Sequence, residues 1–305
     1  MKKQSLFRKT IFFIFIVLPL VSSIAVVTYS YFKLKDRTYS EVVNLPEKNW
    51  IARGLYDKRE DQNTIGSFER SFKAGAMGVE MDLHYDAEMQ KFIISHDHPV
   101  KDEHGKLIYI LKDGKQLTLE EVFREFNEKY YFWLDYKKMG DQSYKDTMNA
   151  IKRLSEITGE NDLKQRIYIE STHPYALSLF SKAGFKTIFD IGSLPERYHF
   201  STIVMNAYKC VFAWGNFSVM AMHAGTPDDI RYGPVTRAVL GDIPVFLYHV
   251  EDNREFLQEL ANIPQVRVIL AGAGISINRS DIKGVTAPAK GITAPAKGVT
   301  APVGK

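Results

Sequence analysis

The sequence predicts an α/β fold, a (β/α)8 TIM barrel preceded by one transmembrane helix. Three observations lead there. Strand-like and helix-like stretches alternate from Asn49 to Leu270, and that rhythm implies parallel β/α units. Without its two ends the chain keeps roughly 240 residues, and about eight strands over that length fit a closed barrel. An uncharged apolar run precedes the alternation. An open doubly wound sheet is the alternative. It loses support because no Gly-x-Gly-x-x-Gly follows the first strand.

The N-terminal nine residues carry Lys2, Lys3, Arg8 and Lys9 and no acid, and Thr10 to Phe32 then contains no charged residue. At ~1.5 Å per residue this run is long enough for a bilayer core of ~30 Å. Pro19, Ser22 and Ser23 are tolerated within such a helix. Tyr29, Tyr31 and Phe32 fall where an aromatic belt would lie. The run exceeds the ~7–15 apolar residues of a cleaved signal peptide, so residues 1–32 are expected to form an uncleaved signal anchor. The basic N-terminus favours a cytoplasmic N-terminus and an extracytoplasmic barrel. Lys33, Lys35 and Arg37 on the far side oppose that orientation.

Residues 33–48 are expected to be a polar linker, and the barrel is expected over 49–280. Its elements follow in order. Asn49 to Ala52 is a short strand ending at Arg53-Gly54. Thr64 to Ala76 has helical spacing at Ile65, Phe68 and Phe72. Two strands follow within the stretch Gly75 to Asp97, and His98 to Gln116 reads as a loop holding a short strand at 107–111. Thr118-Leu-Glu-Glu121 is a capping box opening a helix to about Glu128. Tyr130 to Tyr136 is a strand, Lys145 to Thr158 a helix, Arg166 to Glu170 a strand, Pro174 to Ala183 a helix, and Phe185 to Ile191 a strand. Within 193–235 the pattern identifies only a strand at Phe217 to His223. Ile243 to Val250 is a strand, Asn253 to Ala261 a helix, and Val266 to Leu270 the last strand. From Lys283 an imperfect seven-residue repeat runs to the end. Gly and Pro in each unit forbid a coiled coil, so 283–305 is expected to be a disordered basic tail.

The chain is ordinary in composition, with 45% hydrophobic and 25% charged residues. Its formal charge of +4 comes mostly from the termini, so the barrel carries no nucleic-acid footprint. One cysteine, Cys210, excludes an intrachain disulfide and a cysteine metal cluster.

The chemistry concentrates between Gly75 and Asp97. Side chains at i and i+2 of a strand share a face, so Glu80 and Asp82 stand side by side. Paired carboxylates repel unless something positive lies between them, and a hard divalent cation, Mg2+ or Ca2+, is the usual solution. Asp135 and Lys137 form a second such pair at the end of their strand. Parallel barrel strands end on one shared face, which gathers Glu80, Asp82, His96, Asp135 and Lys137 there, with Arg53 beside them. Three carboxylates suit a divalent metal, the two cations suit a phosphate, and an imidazole moves a proton. His84, His98 and His249 are read first as ordinary solvated or core histidines, Glu170 as an extra ligand of low prior, and Trp133 and Trp214 as packing residues.

These stretches, taken as an ordered set, resemble the glycerophosphodiester phosphodiesterase family. Ile51-Ala52-Arg53-Gly54 stands where the family has A-H-R-G, and Gln62-Asn63-Thr64 where it has E-N-T. Gly75-Ala-Met-Gly-Val-Glu80-Met-Asp82 matches G-A-x-x-x-E-x-D, followed by His96-Asp97 and Asp135-Tyr136-Lys137. Val245-Phe-Leu-Tyr-His-Val250 sits at the family's late aromatic strand. Two departures stand out: no histidine precedes Arg53, and Gln62 replaces the glutamate. The family's closing T-D-x-P does not follow Leu270. The resemblance implies a metal-dependent hydrolase of glycerophosphodiesters or lysophospholipid headgroups. Glu80, Asp82 and Asp135 would hold the metal, Arg53 and Lys137 the phosphate, and His96 would transfer a proton. The missing histidine equally admits a barrel that binds such headgroups without turnover. Asp135 in place of the family's glutamate is also similar to the spider-venom-type sphingomyelinase D branch.

Overall fold

A computed structural model describes residues 18–272, apart from 44, 46, 112–113, 127–129 and 160–161. The first part of the expected anchor, the end of the expected barrel at 273–280 and the repeat tail at 283–305 lie outside the described residues.

Eight parallel strands close into a barrel: β1 (Asn49–Ala52), β2 (Gly78–Asp86), β4 (Tyr131–Tyr136), β5 (Ile167–Ser171), β6 (Lys186–Ile191), β7 (Val219–His223), β8 (Val245–Tyr248) and β9 (Val266–Ala271). β9 pairs with β1, and β1 with β2, so the ring is complete. β3 (Lys91–Ile94) is the exception in direction. It returns antiparallel against residues 83–86 of β2, which outlast the barrel wall. The expected strands are all present, with ends shifted by a residue or two, except that the one expected at 107–111 stops at Ile108.

The barrel interior follows from the two-residue period of its strands. Trp50, Trp133, Tyr168 and Phe246 are fully buried and meet at its centre, the indole of Trp50 lying 5.6 Å from the Phe246 ring and 5.9 Å from Tyr168. Gly78 leaves room for that indole: a Cβ there would lie 2.5 Å from Trp50 Cδ2. Two residues further along each strand, the same inward face carries Ala52, Glu80, Asp135, Glu170, Asp190 and Tyr248. An aromatic floor thus lies beneath a polar layer at the C-terminal mouth.

The outer faces of the strands pack beneath helices: α2 (Ile65–Lys73), α3 (Leu119–Phe126), α4 (Tyr144–Thr158), α5 (Pro174–Lys182), α6 (Ser201–Gly215), α7 (Pro234–Leu240) and α8 (Arg254–Asn262). Thr118 opens α3 as expected, its hydroxyl and N–H both meeting the Glu121 carboxylate. α6 lies in the stretch 193–235 that the sequence pattern left largely unassigned, and α7 begins at its end.

Two expectations change. Residues 33–48 are not simply a polar linker: Tyr39 and Val42 are buried, with the Arg37 guanidinium 4.6 Å from the Tyr39 ring centre. Val42 joins the aromatic cluster around Trp50. Trp214 does not pack in the core; it is exposed at the end of α6. The expected transmembrane run enters the description at α1 (Leu18–Lys35), which packs on α6. Among the described residues no helix is long and apolar enough to cross a membrane.

Candidate active site

The mouth of the barrel holds a cavity of about 560 Å³, lined in part by Arg53, Glu80, Asp135, Lys137, Glu170 and His249. Its construction begins at the end of β1. Arg53 takes a left-handed backbone, φ 57°, and Gly54 follows at φ 79°. Gly54 is required there on a second count, because a Cβ would fall 2.4 Å from Ser67 Oγ at the start of α2. The turn aims the Arg53 N–H at the Glu80 side chain, Oε2 accepting at 3.0 Å, and swings the guanidinium to Asp82, Nε to Oδ2 at 2.9 Å.

Asp82 is fully buried and the most heavily partnered acid of the group. Besides Arg53 it meets Lys137 Nζ at 2.7 Å and accepts from Asn63 Nδ2 at 2.8 Å. Burial alone would push its carboxyl up, but Lys137 and Arg53 outweigh that and hold it below the usual aspartate value. Lys137 also pairs closely with Asp135. Its ammonium is held charged to higher pH than usual, because Asp135 and Asp82 overcome the cost of burial.

Glu80 has fewer compensations. Burial, followed by the charges of Asp82 and Asp135, raises its carboxyl well above the ordinary range. Burial raises Asp135 as well, against the pull of Lys137. One carboxylate oxygen from each of Glu80, Asp82 and Asp135 lies within 4.8 Å of the others. Three hard oxygen donors at that spacing fit a divalent cation such as Mg2+ or Ca2+, whose charge would offset the repulsion that raises Glu80 and Asp135.

The structure therefore brings together five of the six residues singled out in the sequence: Arg53, Glu80, Asp82, Asp135 and Lys137. His96 is placed differently. It follows β3, where the Ser95 N–H donates to the Asp82 carbonyl at 3.0 Å, but it does not line the cavity. Its ring is partly exposed, with Nδ1 3.2 Å from Asp97 Oδ1. The cause is β2 itself, whose last residues leave the wall and carry β3 and its following loop outward. His84, next on the Glu80–Asp82 face, is buried against His98, with ring centres 5.5 Å apart. Burial first, then the charges of His98 and Lys137, lowers its pKa to about 4.

Of the remaining residues of the mouth, Asp190 escaped sequence reasoning, whereas Asn63 entered only through the Gln62-Asn63-Thr64 stretch, Glu170 as an extra ligand of low prior and His249 as an ordinary histidine. Asn63 has the left-handed backbone (φ 57°) that lets its amide reach Asp82. Glu170 accepts from the Trp133 indole N–H, which gives that tryptophan a polar task as well as a packing one. Burial and the neighbouring charges of Asp135 and Asp190 keep Glu170 well above the usual range. Asp190 accepts from the Tyr248 hydroxyl at 2.9 Å and, mainly through burial, is raised to about 6. His249 sits at φ 48° just past β8. For Asp190 the only available signal was position, next to the last residue of its strand.

No family model matches the sequence, and no curated protein matches it. Solved structures do match. A glycerophosphodiester phosphodiesterase from Parabacteroides distasonis has a TM-score of 0.55 at 16% identity, covering 77% of this chain and 96% of that one. One from Thermotoga maritima has a TM-score of 0.53 at 19% identity, covering 74% and 94%. A phosphodiesterase from Oleispira antarctica, solved in complex with the product sn-glycerol-3-phosphate, has a TM-score of 0.54 at 14% identity, covering 77% and 96%. The resemblance read from the ordered stretches and the arrangement of the barrel thus agree: this chain has the fold of the glycerophosphodiester phosphodiesterases.

Proposed function

We propose that the protein is a metal-dependent phosphodiesterase that hydrolyses glycerophosphodiesters or lysophospholipid headgroups. The observation that carries the reading is the Glu80–Asp82–Asp135 cluster with Arg53 and Lys137 set around it in one cavity. A divalent cation bound by the three acids would supply electrostatic stabilisation of the diester's singly charged phosphate and of the further charge that develops on it. Arg53 and Lys137 would orient the diester and offset its charge as it grows in the transition state. His96 does not line the cavity but follows Ser95, whose N–H meets the Asp82 carbonyl, and in this reading it turns in over the mouth to donate a proton to the leaving alcohol. Its partner Asp97 would hold the ring by Nδ1 and leave Nε2 to deliver the proton. The solved complex with sn-glycerol-3-phosphate supports a glycerol phosphate product for this chain as well.

Membrane attachment belongs to the same proposal. The uncharged run Thr10 to Phe32 and the exposed Val21, Ile24, Val27, Tyr31 and Phe32 of α1 favour an N-terminal anchor with the barrel outside the cytoplasm. Full-length protein should then stay in the membrane fraction after a carbonate wash. Recovery in the supernatant would end the anchor.

The test of activity is release of glycerol phosphate from a panel of diesters by the full chain in detergent, with Mg2+, with Ca2+ and with chelator. Metal-dependent release supports the reading, and release that ignores the chelator overturns its metal requirement. Ala52 stands where a first histidine would be, and that favours a second reading: a barrel that binds phosphodiester headgroups without turning them over. Saturable binding of glycerophosphocholine with no product would establish it. Formation of a cyclic phosphate would instead place the chain with the sphingomyelinase D-like enzymes.

A further inference from the structure

Hydrolysis needs a group to accept the nucleophile's proton, and the strand end at Ala52 offers none. The cavity supplies an imidazole from the other side of the ring closure. Among the described residues that line it, His249 is the histidine, and it shares the mouth with Arg53, Glu80 and Lys137.

We propose that His249 is the proton acceptor of the reaction, a catalytic role that rests on the phosphodiesterase reading above. The backbone points to it first. A non-glycine residue in the left-handed region is strained and persists where surrounding structure holds it. Here φ 48° ends β8 abruptly and brings successive residues, Tyr248 and His249, both to the cavity. In a continuing strand they would face opposite sides. The ring is braced as well. It lies 5.2 Å from the His223 ring and 5.1 Å from the Tyr248 ring, both edge-on. These two are themselves fixed: His223 Nδ1 accepts from the Gly225 N–H at 2.9 Å, and Tyr248 donates to Asp190. Burial and then the charge of Arg53 lower the pKa of His249, so the ring is neutral at neutral pH and free to accept.

In the step, a water oxygen forms a bond to phosphorus while the His249 imidazole takes that water's proton. The bond from phosphorus to the leaving oxygen breaks, and that oxygen receives a proton from His96. His249 returns its proton to solvent and His96 regains one, leaving a phosphomonoester and an alcohol.

The decisive variant is His249→Asn, since asparagine accepts the left-handed backbone. With the full chain, Mg2+ and the diester the parent hydrolyses best, kcat should fall by roughly 10²–10⁴ with KM little changed. Adding Ala52→His to that variant, or imidazole to the buffer, should recover part of the rate. A His249→Asn protein with the parent's kcat overturns the inference and leaves the phosphodiesterase reading standing. A loss that neither Ala52→His nor imidazole relieves marks a structural residue and also overturns it. A parent without turnover on any diester removes the phosphodiesterase reading and His249's role together.

Discussion

Asn63 and Asp82 clasp each other twice. The Asn63 amide donates from Nδ2 to Asp82 Oδ2 at 2.8 Å, and the Asp82 backbone N–H donates to Asn63 Oδ1 at 3.2 Å. Both residues are buried, and the pair spans the turn after β1 and the middle of β2. The clasp fixes one orientation of the Asp82 carboxylate and leaves Oδ1 toward Lys137. Asn63 therefore acts on the cluster of acids without belonging to it.

Replacing Asn63 by Leu should show this. Groups that orient a metal-binding carboxylate typically contribute 10–100-fold in affinity. Isothermal titration with Mg2+ or Ca2+ should find the Asn63→Leu protein weaker by about that factor. An unchanged affinity would mean that Arg53 and Lys137 alone hold Asp82 in place.

Lys137 makes a different prediction, because it and a bound cation offset the same charges. Lys137→Gln leaves Asp82 and Asp135 without their shared ammonium. Breaking a buried pair by removing one partner costs up to ~3–5 kcal/mol. The variant should melt well below the parent in chelator and recover more than the parent does on adding Mg2+ or Ca2+, since a ligand stabilises the state it binds. Equal thermal shifts in the two proteins would separate Lys137 from the metal site.

Much of this site was legible because strands obey a short period. Glu80 with Asp82, and Asp135 with Lys137, are pairs at i and i+2, and that spacing alone places them on one face. Single residues carry no such pattern. Glu170 and Asp190 each stand alone near the end of a strand, and only the pairing of β4 with β5 and of β5 with β6 sets them near Asp135. His96 was misplaced for a related reason: the apolar spacing of β2 and β3 gives two strands, but not that they pair antiparallel outside the wall. α6 was missed because it packs against α1, α5 and α7. A helix with neighbours on several sides is apolar on several sides and loses the amphipathic period that marks a surface helix.

The aromatic floor beneath the site can be tested at Gly78. A methyl group there would overlap the Trp50 indole, and that ring is enclosed by Tyr131, Tyr168 and Phe246. Overpacking of this kind costs about 1–3 kcal/mol. For a domain of this size Gly78→Ala should therefore lower the midpoint of thermal unfolding by roughly 2–4 °C for each kcal/mol. Gly78→Ala with Trp50→Phe should regain part of the loss, because the smaller ring frees the space. A Gly78→Ala protein as stable as the parent would mean that the indole is not confined as described.

The last prediction concerns the acid side of the mouth and its dependence on pH. Asp190 has its folded pKa raised from 3.8 to about 6, chiefly by burial. A raised carboxyl prefers its proton in the folded state. The favourable contribution is complete below the unfolded value near 3.8 and is lost as pH rises through about 6. The difference amounts to ~3 kcal/mol across that window. Asp190→Asn keeps an acceptor for the Tyr248 hydroxyl and removes the ionisation. Measured in chelator, the variant should match the parent near pH 4 and melt several degrees higher at pH 7.5. Glu170 and Asp135 are raised by the same surroundings, so the variant should retain some loss of stability with rising pH. A parent and variant with parallel profiles from pH 4 to 7.5 would show that Asp190 ionises as freely in the fold as out of it, and that the polar layer is wetter than its burial implies.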